Sequence, residues 1–477
     1  MKWLVFLLTV ALAARGAEAE RINHEGRILG PAPVVASPIL FNTPEADAVV
    51  SAMQIMPVDS AWNEDVSHRP LLANSDAMIA QITSDLDPAR RTLRPFFEMN
   101  YALVPDNQAR VPTHFFMYAD ESDLDGGTFP DGLYPLPSIL PIESWPVETP
   151  GLTLLQWQQD VNGTGGDRHS ITVMPGQGTI WETWLTKLVS GTWRASNGAK
   201  FDLNSNTLRP AGWTSADAAG LPMFPALVRF DECQRGMVEH AVRLVVKQSR
   251  LGPIYPATHE ASVNDTSDPN IPAMGQRLRL KASFVIPANW KLEEKAVLLA
   301  LKKYGGLVAD NGNFFSFSVC PDDRFPEGCF DHLSTIAINN FEVVQSTGPT
   351  EGPRSPGAPA AYAGPDQTIP ITSAALLPGQ VTAPLGGAII HWRKSAGPGA
   401  VSFVNANLAA TSASFSLPGT YTLLLSGDDG VHAVAYDATV IRVTLPLTAQ
   451  PSGNDILVQF PSQAGQHYRV EHTADLA

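Results

Sequence analysis

Cysteine is scarce, with only Cys233, Cys320 and Cys329 in 477 residues, which excludes a scaffold built on disulfides and leaves folding to a hydrophobic core. Positive charge is also short. Lysine and arginine number 32 against 47 aspartates and glutamates, for a formal net charge of −15, so nucleic acid and anionic membrane would both repel the chain. A neutral or cationic partner suits it better. After residue 19 no apolar run reaches the roughly 18 residues that a membrane span requires. There is no Walker loop, GxSxG elbow or dinucleotide fingerprint, which argues against nucleotide and α/β-hydrolase chemistry.

What is present begins with a hydrophobic fraction of 44%, ample for burial, on a chain long enough for roughly two or three domains. Residues 1–19 combine Lys2, the apolar run WLVFLLTVALAA and the small-residue end Ala17-Glu18-Ala19. This is the pattern of a secretory signal peptide, so the expectation is an exported protein, extracellular, on the cell surface or periplasmic. In an oxidising compartment Cys320 and Cys329, which bracket PDDRFPEG, are expected to form a disulfide, with Cys233 left over. The alternative is three unpaired buried thiols. Residues 20–45 read as a leader, 46–345 as a β-rich principal domain, and 346–356, within STGPTEGPRSPGAPAA, as a Pro/Gly/Ser linker. A second domain follows over 357–445, and 446–477 reads as the start of an incomplete β module.

Through the principal domain, short strands alternate with Gly, Pro and Asn turns: EMNYALVP, THFFMYAD, LTLLQWQQ, ALVRFDE, EHAVRLVVKQ, RLRLKASFVI and NFFSFSVC. The spacing predicts a mainly all-β fold, a β-sandwich or jelly-roll-like domain with one or two helices. KLEEKAVLLALKKYGG carries a helical period with a glycine stop, and NSDAMIAQITSDL a shorter helix capped at Asn74 or Ser75. MPVDSAWNEDVSHRP places Asp59, Trp62, Asn63, Asp65 and His68 close together, either as a functional cluster or as a tight Asx-turn locked by a buried Trp62.

The chemistry concentrates between Gly166 and Pro222. HSITVMP and TIWETWLTKLV flank Pro175-Gly176-Gln177-Gly178 and predict a hairpin with Glu182 and Trp184 on one face and Trp181 and Thr183 on the other. In the loop that follows, Thr214-Ser215-Ala216-Asp217 predicts the capped start of a short helix. Glycoside cleavage needs two carboxyl groups across a groove, with aromatic surfaces for sugar rings. On that logic Glu182, Asp167, His169 and His259 are the candidate catalytic residues, and Trp184, Trp213, Arg209, Asn204 and Asp310 the candidate substrate-binding ones. The sequence demands no cofactor. His169, His240 and His259 are the one set that offers a divalent metal three nitrogens, but no HxH or HExxH spacing supports it, and core histidines bonded to carboxylates are the alternative. The functional expectation is a glycan-directed hydrolase or lyase acting on a neutral or cationic polysaccharide; a non-catalytic carbohydrate-binding or adhesion protein is the alternative.

Two resemblances bear on this. AGPDQTI, Trp392 followed by SAGPGAVSF, Phe415 to Tyr421 and Gly427-Asp428-Asp429-Gly430 resemble the PKD-type immunoglobulin-like repeat of exported bacterial proteins. The resemblance implies a small β-sandwich acting as a spacer or glycan-side module over 357–445. GDRH, YPATHEAS, MGQRLRLKASF and LKKYGGLVADNG make residues from about 50 to 345 resemble an uncharacterised family of exported bacterial β-rich proteins, which implies no catalytic residues.

Overall fold

The computed structural model describes residues 20–163, 166–261, 266–452, 455–460 and 462. The expected signal peptide over 1–19 and the last fifteen residues, 463–477, lie outside them. The fold is mainly β, as the turn spacing predicts, and strand outweighs helix about two to one. Among the described residues no helix is long and apolar enough to cross a membrane. The chain divides into two compact units, one of Asn23–Ala358 with Val431–Ala433, the other holding Pro359–Gly430 and the described part of Val434–Ala477.

Among the described residues, three sheets build the larger unit. In the first, β1 (Ile39–Leu40), β3 (Ala102–Leu103), β6 (Ser170–Met174), β7 (Thr179–Trp184) and β10 (Asn197–Asp202) lie side by side in that order. In the second, the order is β15 (Phe341–Val343), β12 (Arg277–Leu280), β13 (Gly306–Asn311), β11 (Val242–Val246), β14 (Phe315–Val319) and β2 (Leu93–Phe97). The third is β5 (Asp131–Tyr134), β4 (Val111–Phe115), β9 (Thr192–Ala195) and β8 (Lys187–Val189). Most neighbours are antiparallel, but β3 with β6, β4 with β9, β11 with β13 and β2 with β14 run parallel. Parallel pairs need both faces covered, and β11 and β14 are accordingly buried along their whole length. Among the described residues five α-helices, against the one or two expected, pack around the sheets: α1 (Pro44–Ser51), α2 (Ser75–Asp85), α3 (Leu154–Gln158), α4 (Phe230–Arg235) and α5 (Leu292–Lys303). Of these, α3 falls in LTLLQWQQ and α4 starts in ALVRFDE, segments whose spacing predicts strands. The longest, α5, buries Ala296, Val297, Leu298, Ala300 and Leu301 and stops before Gly305, whose φ of +64° suits a residue without a Cβ.

The β6–β7 hairpin forms as its sequence predicts, and it is the wall between two hydrophobic cores. Alternation sends Ile171, Val173 and Ile180 into the larger core and Met174 and Trp181 into the smaller one. Glu182 therefore projects with Ile180 and Trp184 toward the larger core. The turn depends on Gly178, at φ +62°, where a Cβ would collide with the Asn204 side chain.

Elsewhere the structure departs from the expectations. Thr214–Asp217 makes a capped turn and no helix: the Asp217 N–H donates to Ser215 Oγ at 2.9 Å, and the Asp217 carbonyl accepts from Ser215 Oγ and from Gly220 N–H. Asp217 has a long-range partner, described below, that fixes its direction. The THFFMYAD strand ends at Phe115. All three cysteines are buried free thiols, so the expected Cys320–Cys329 bridge is replaced by the alternative. The intervening loop is fastened without sulfur, by Arg324 on Asp322 and Asp47 and by Lys291 Nζ on the carbonyls of Glu327 and Gly328. The Asp59–His68 cluster is the Asx-turn anticipated: Ser67 N–H donates to Asp65 Oδ1, and buried Asn63 donates to the carbonyls of Ile55, Met56 and Pro57.

In the smaller unit, β17 (Gln367–Pro370), β24 (Ala435–Thr444), β23 (Gly419–Asp428) and β20 (Ile389–Ala396) form one sheet, and β18 (Ala375–Pro378), β22 (Ala410–Phe415) and β21 (Val401–Phe403) another. Two pairs complete it, β16 (Ala360–Tyr362) with β19 (Gln380–Thr382) and β25 (Thr448–Ser452) with β26 (Asp455–Gln459). Trp392, Phe415 and Tyr421 fill its core. Tyr421 donates its hydroxyl to Leu417 O at 2.7 Å and Trp392 its indole N–H to Ala409 O at 2.9 Å, so each large ring is buried with its polar atom satisfied.

Candidate functional site

Of the candidate catalytic residues, Asp167 and His169 lie just before β6 and Glu182 on its partner β7. Glu182 is paired in register with Ile171, two residues after His169, and is fully buried. Its Oε1 accepts the Met223 and Phe224 N–H groups, each at 2.9 Å, and Oε2 accepts Met223 N–H at 3.0 Å. Burial raises its pKa to about 7, against the opposing pull of those two N–H groups.

His169 is held on both sides. Ring Nδ1 and the backbone N–H share Glu143 Oε2 at 3.0 and 3.1 Å, and Nε2 faces Ala216 O at 3.1 Å. Both ring nitrogens meet pure acceptors, so the imidazolium is the species that satisfies them. Burial alone would lower the pKa, yet the Glu143 carboxylate outweighs it and lifts His169 to about 9. Glu143 is correspondingly depressed: burial works to raise it and the His169 cation overcomes that.

Beside this dyad runs a buried ionic network. Arg243 grips Asp217 with two nitrogens at 2.9 to 3.1 Å, reaches Asp310 Oδ2 at 2.7 Å and lies 3.6 Å from Glu98 Oε1. Ser318 Oγ donates to Glu98 at 2.6 Å. Burial opposes the Arg243 charge, but Asp217, Asp310 and Glu98 together hold its pKa well above the ordinary value. A guanidinium so enclosed joins the Asp217 loop to β11 and β13, and removing one partner would strand a buried charge.

The remaining expected residues scatter. Asp167 is exposed; its carbonyl accepts Leu185 N–H, and its charge adds a minor part to the pull that raises His169. His259 places Nδ1 2.7 Å from Ala218 O. His240 lies elsewhere, with Nδ1 at Ala241 O and Nε2 3.2 Å from Glu232. The three histidines thus serve three different sets of acceptors, and among the described residues no His, Cys, Asp and Glu side chains group in the manner of a metal site. Asn204 is exposed and closes an Asx-turn on Asp202 Oδ1 while reaching Gln177 O. Arg209 is buried, its fork spent on Thr214 O, Glu121 O and the Asp123 carboxylate and its plane near Phe201 and Trp213.

What gathers at the surface is aromatic. Beyond β4 the chain turns Phe116, Met117 and Tyr118 outward, at 38%, 52% and 37% exposure. Tyr118 stacks on half-buried Trp184 with ring centroids 6.3 Å apart and planes 29° from parallel. Arg194 lies 5.6 Å from the Phe116 ring. The backbone holds this ledge rigidly: Phe116 donates to Ala195 O, Met117 and Tyr118 both to Ser196 O, and Ser196 in turn to Trp184 O. Glu121, just after it, accepts Thr214 N–H at 2.8 Å, which ties the ledge to the loop that carries Trp213. Trp184, Trp213 and Arg209 are therefore brought around one segment, 116–123, whose part up to Asp120 belongs to the expected strand THFFMYAD. The signal was present in the consecutive Phe-Phe-Met-Tyr, more apolar surface than a strand end needs.

No family model matches this sequence, and no curated protein matches it. Among solved structures it is similar to the PKD domain from KIAA 1837 protein, at 24% identity over 21% of this chain and 92% of that one, with a TM-score of 0.16. It is also similar to a nucleoside hydrolase-related hypothetical protein from Saccharophagus degradans that is associated with carbohydrate metabolism, at 14% identity over 28% of this chain and 35% of that one, with a TM-score of 0.17.

Proposed function

We propose that this chain is a secreted carbohydrate-binding protein whose larger unit docks a neutral glycan on the aromatic ledge of Phe116, Tyr118 and Trp184, with a PKD-type immunoglobulin-like spacer over 357–445. The observation that carries the reading is the Tyr118–Trp184 stack, an exposed ring laid on a half-buried one, both amphipathic and fixed by backbone hydrogen bonds. Exposed aromatic surface of this kind marks a binding site, and sugar rings present flat C–H faces that suit it. The binding reading is favoured over hydrolase or lyase chemistry because Glu182 and His169 have every polar atom committed to protein partners and lie buried. A general acid must reach substrate.

Titration of neutral oligosaccharides into the intact chain tests this, alongside assays for new reducing ends and for absorbance of unsaturated products. The expected result is binding without turnover, weakened about tenfold or more by Tyr118→Ala. Binding that is indifferent to Tyr118→Ala and to Trp184→Ala would exclude the ledge. Turnover abolished by Glu182→Gln would restore the enzymatic reading.

A further inference from the structure

A large groove of the larger unit lies at the edge strand β2 and the loop between Cys320 and Phe330, lined by none of the ledge residues. Its volume is about 690 Å³, within the roughly 300–1,000 Å³ usual for ligand sites. Phe97, Phe325 and Phe330 contribute a mutually packed aromatic lining, with centroids 5.4 to 6.0 Å apart. Asp323, Glu327 and Asp331 line it as well, all three exposed. The fourth lining carboxylate, Asp322, is neutralised by Arg324, and Arg94 is the single cation in the lining. Lys291, which is not part of the lining, spends its ammonium on the carbonyls of Glu327 and Gly328. Negative charge therefore predominates over an aromatic surface in a concave site.

We propose that this groove is a docking site for a basic, apolar-flanked peptide segment: a lysine or arginine side chain set against Asp323, Glu327 and Asp331, with a neighbouring apolar side chain on the phenyl rings. Charge complementarity chooses the cation, since an anionic ligand would meet three carboxylates and a neutral one would leave them without a counter-charge. The rings add to the selection, because an ammonium or guanidinium on an apolar stem gains from both the ring faces and the carboxylates. The groove gives a peptide side-chain pockets rather than a strand to pair with, as Pro95 in the middle of β2 has no N–H to offer. This inference is independent of the ledge and of its glycan.

The probe is an end-blocked short peptide alternating lysine with phenylalanine, titrated calorimetrically into the full chain at low salt. It should bind, weaken as salt is raised, and lose about tenfold in affinity when Asp323→Asn, Glu327→Gln and Asp331→Asn are combined. The matched peptide with glutamate in place of lysine should not bind. Glu327→Lys, a single exposed change, should weaken binding in the same direction and serves if the triple variant melts early. The proposal is overturned if the basic peptide fails to bind, if the glutamate peptide binds equally, or if both variants bind like the parent. It is also overturned if a glucosamine oligomer binds the groove and the peptide does not, because the cation would then belong to an amino glycan.

Discussion

Replacing Glu182 by glutamine separates a buried structural carboxyl from a catalytic one. The side chain is fully buried and its pKa is raised to about 7 from an ordinary 4.5. Below pH 4.5 the carboxyl is neutral both folded and unfolded, so it places no pH-dependent burden on the fold. As pH climbs from 4.5 to 7 the unfolded chain releases the proton while the folded chain keeps it, and stability falls; above 7 the full cost, about 3 kcal/mol, is in place. Between about pH 5 and about pH 8 the loss amounts to about 2.5 kcal/mol. Glutamine keeps an oxygen for the Met223 and Phe224 N–H groups but cannot ionise. In urea titrations Glu182→Gln should therefore match the parent near pH 5 and exceed it by about 2.5 kcal/mol near pH 8. Glu182→Ala, which leaves both N–H groups without an acceptor, should cost about 2 to 4 kcal/mol. If the glutamine variant is weaker than the parent by the same margin at both pH values, the two backbone donors outweigh burial and the argument fails.

The His169–Glu143 pair behaves in the opposite sense. His169, raised to about 9, contributes stability that is complete below pH 6.5 and lost as pH rises through 9, so Glu143→Gln should lower stability by about 3 kcal/mol near neutrality and by little near pH 10; a deficit that is flat with pH would contradict the pairing. The His169 ring resonances in an NMR titration should move near pH 9, and titration near 6.5 would deny the imidazolium. Burial pushes the Cys329 thiol up to about 12, so all three cysteines should resist alkylation in the folded protein and all should react in denaturant without reductant; two that stay protected there would restore the disulfide. Residues 357–445, excised, should melt cooperatively, and an unfolded circular dichroism spectrum would move the expected boundary.

The sequence by itself determined the elements whose cause is local. Alternating β-branched and aromatic residues around Pro175–Gly178 suffice for the β6–β7 hairpin, the 3.6 period and Gly305 for α5, and Asn63 with Trp62 for the turn after Pro57. It also determined that Glu182 shares a face with Trp184, since strand period admits no other outcome. The tertiary structure decided what that face meets. Strand period does not say that both faces are covered, so Glu182 could be read as sugar-facing when in fact it is closed off by Met223 and Phe224, forty residues on. The same holds for Asp217, whose local capping pattern yields to Arg243 on β11, and for Cys320 and Cys329, whose closeness in sequence does not decide pairing in a loop already fastened by Arg324 and Lys291. The aromatic ledge and the acidic groove were the least legible. Each draws residues from segments far apart in the chain, Tyr118 with Trp184 and Phe97 with Phe325, and only long-range strand order brings such residues to one surface.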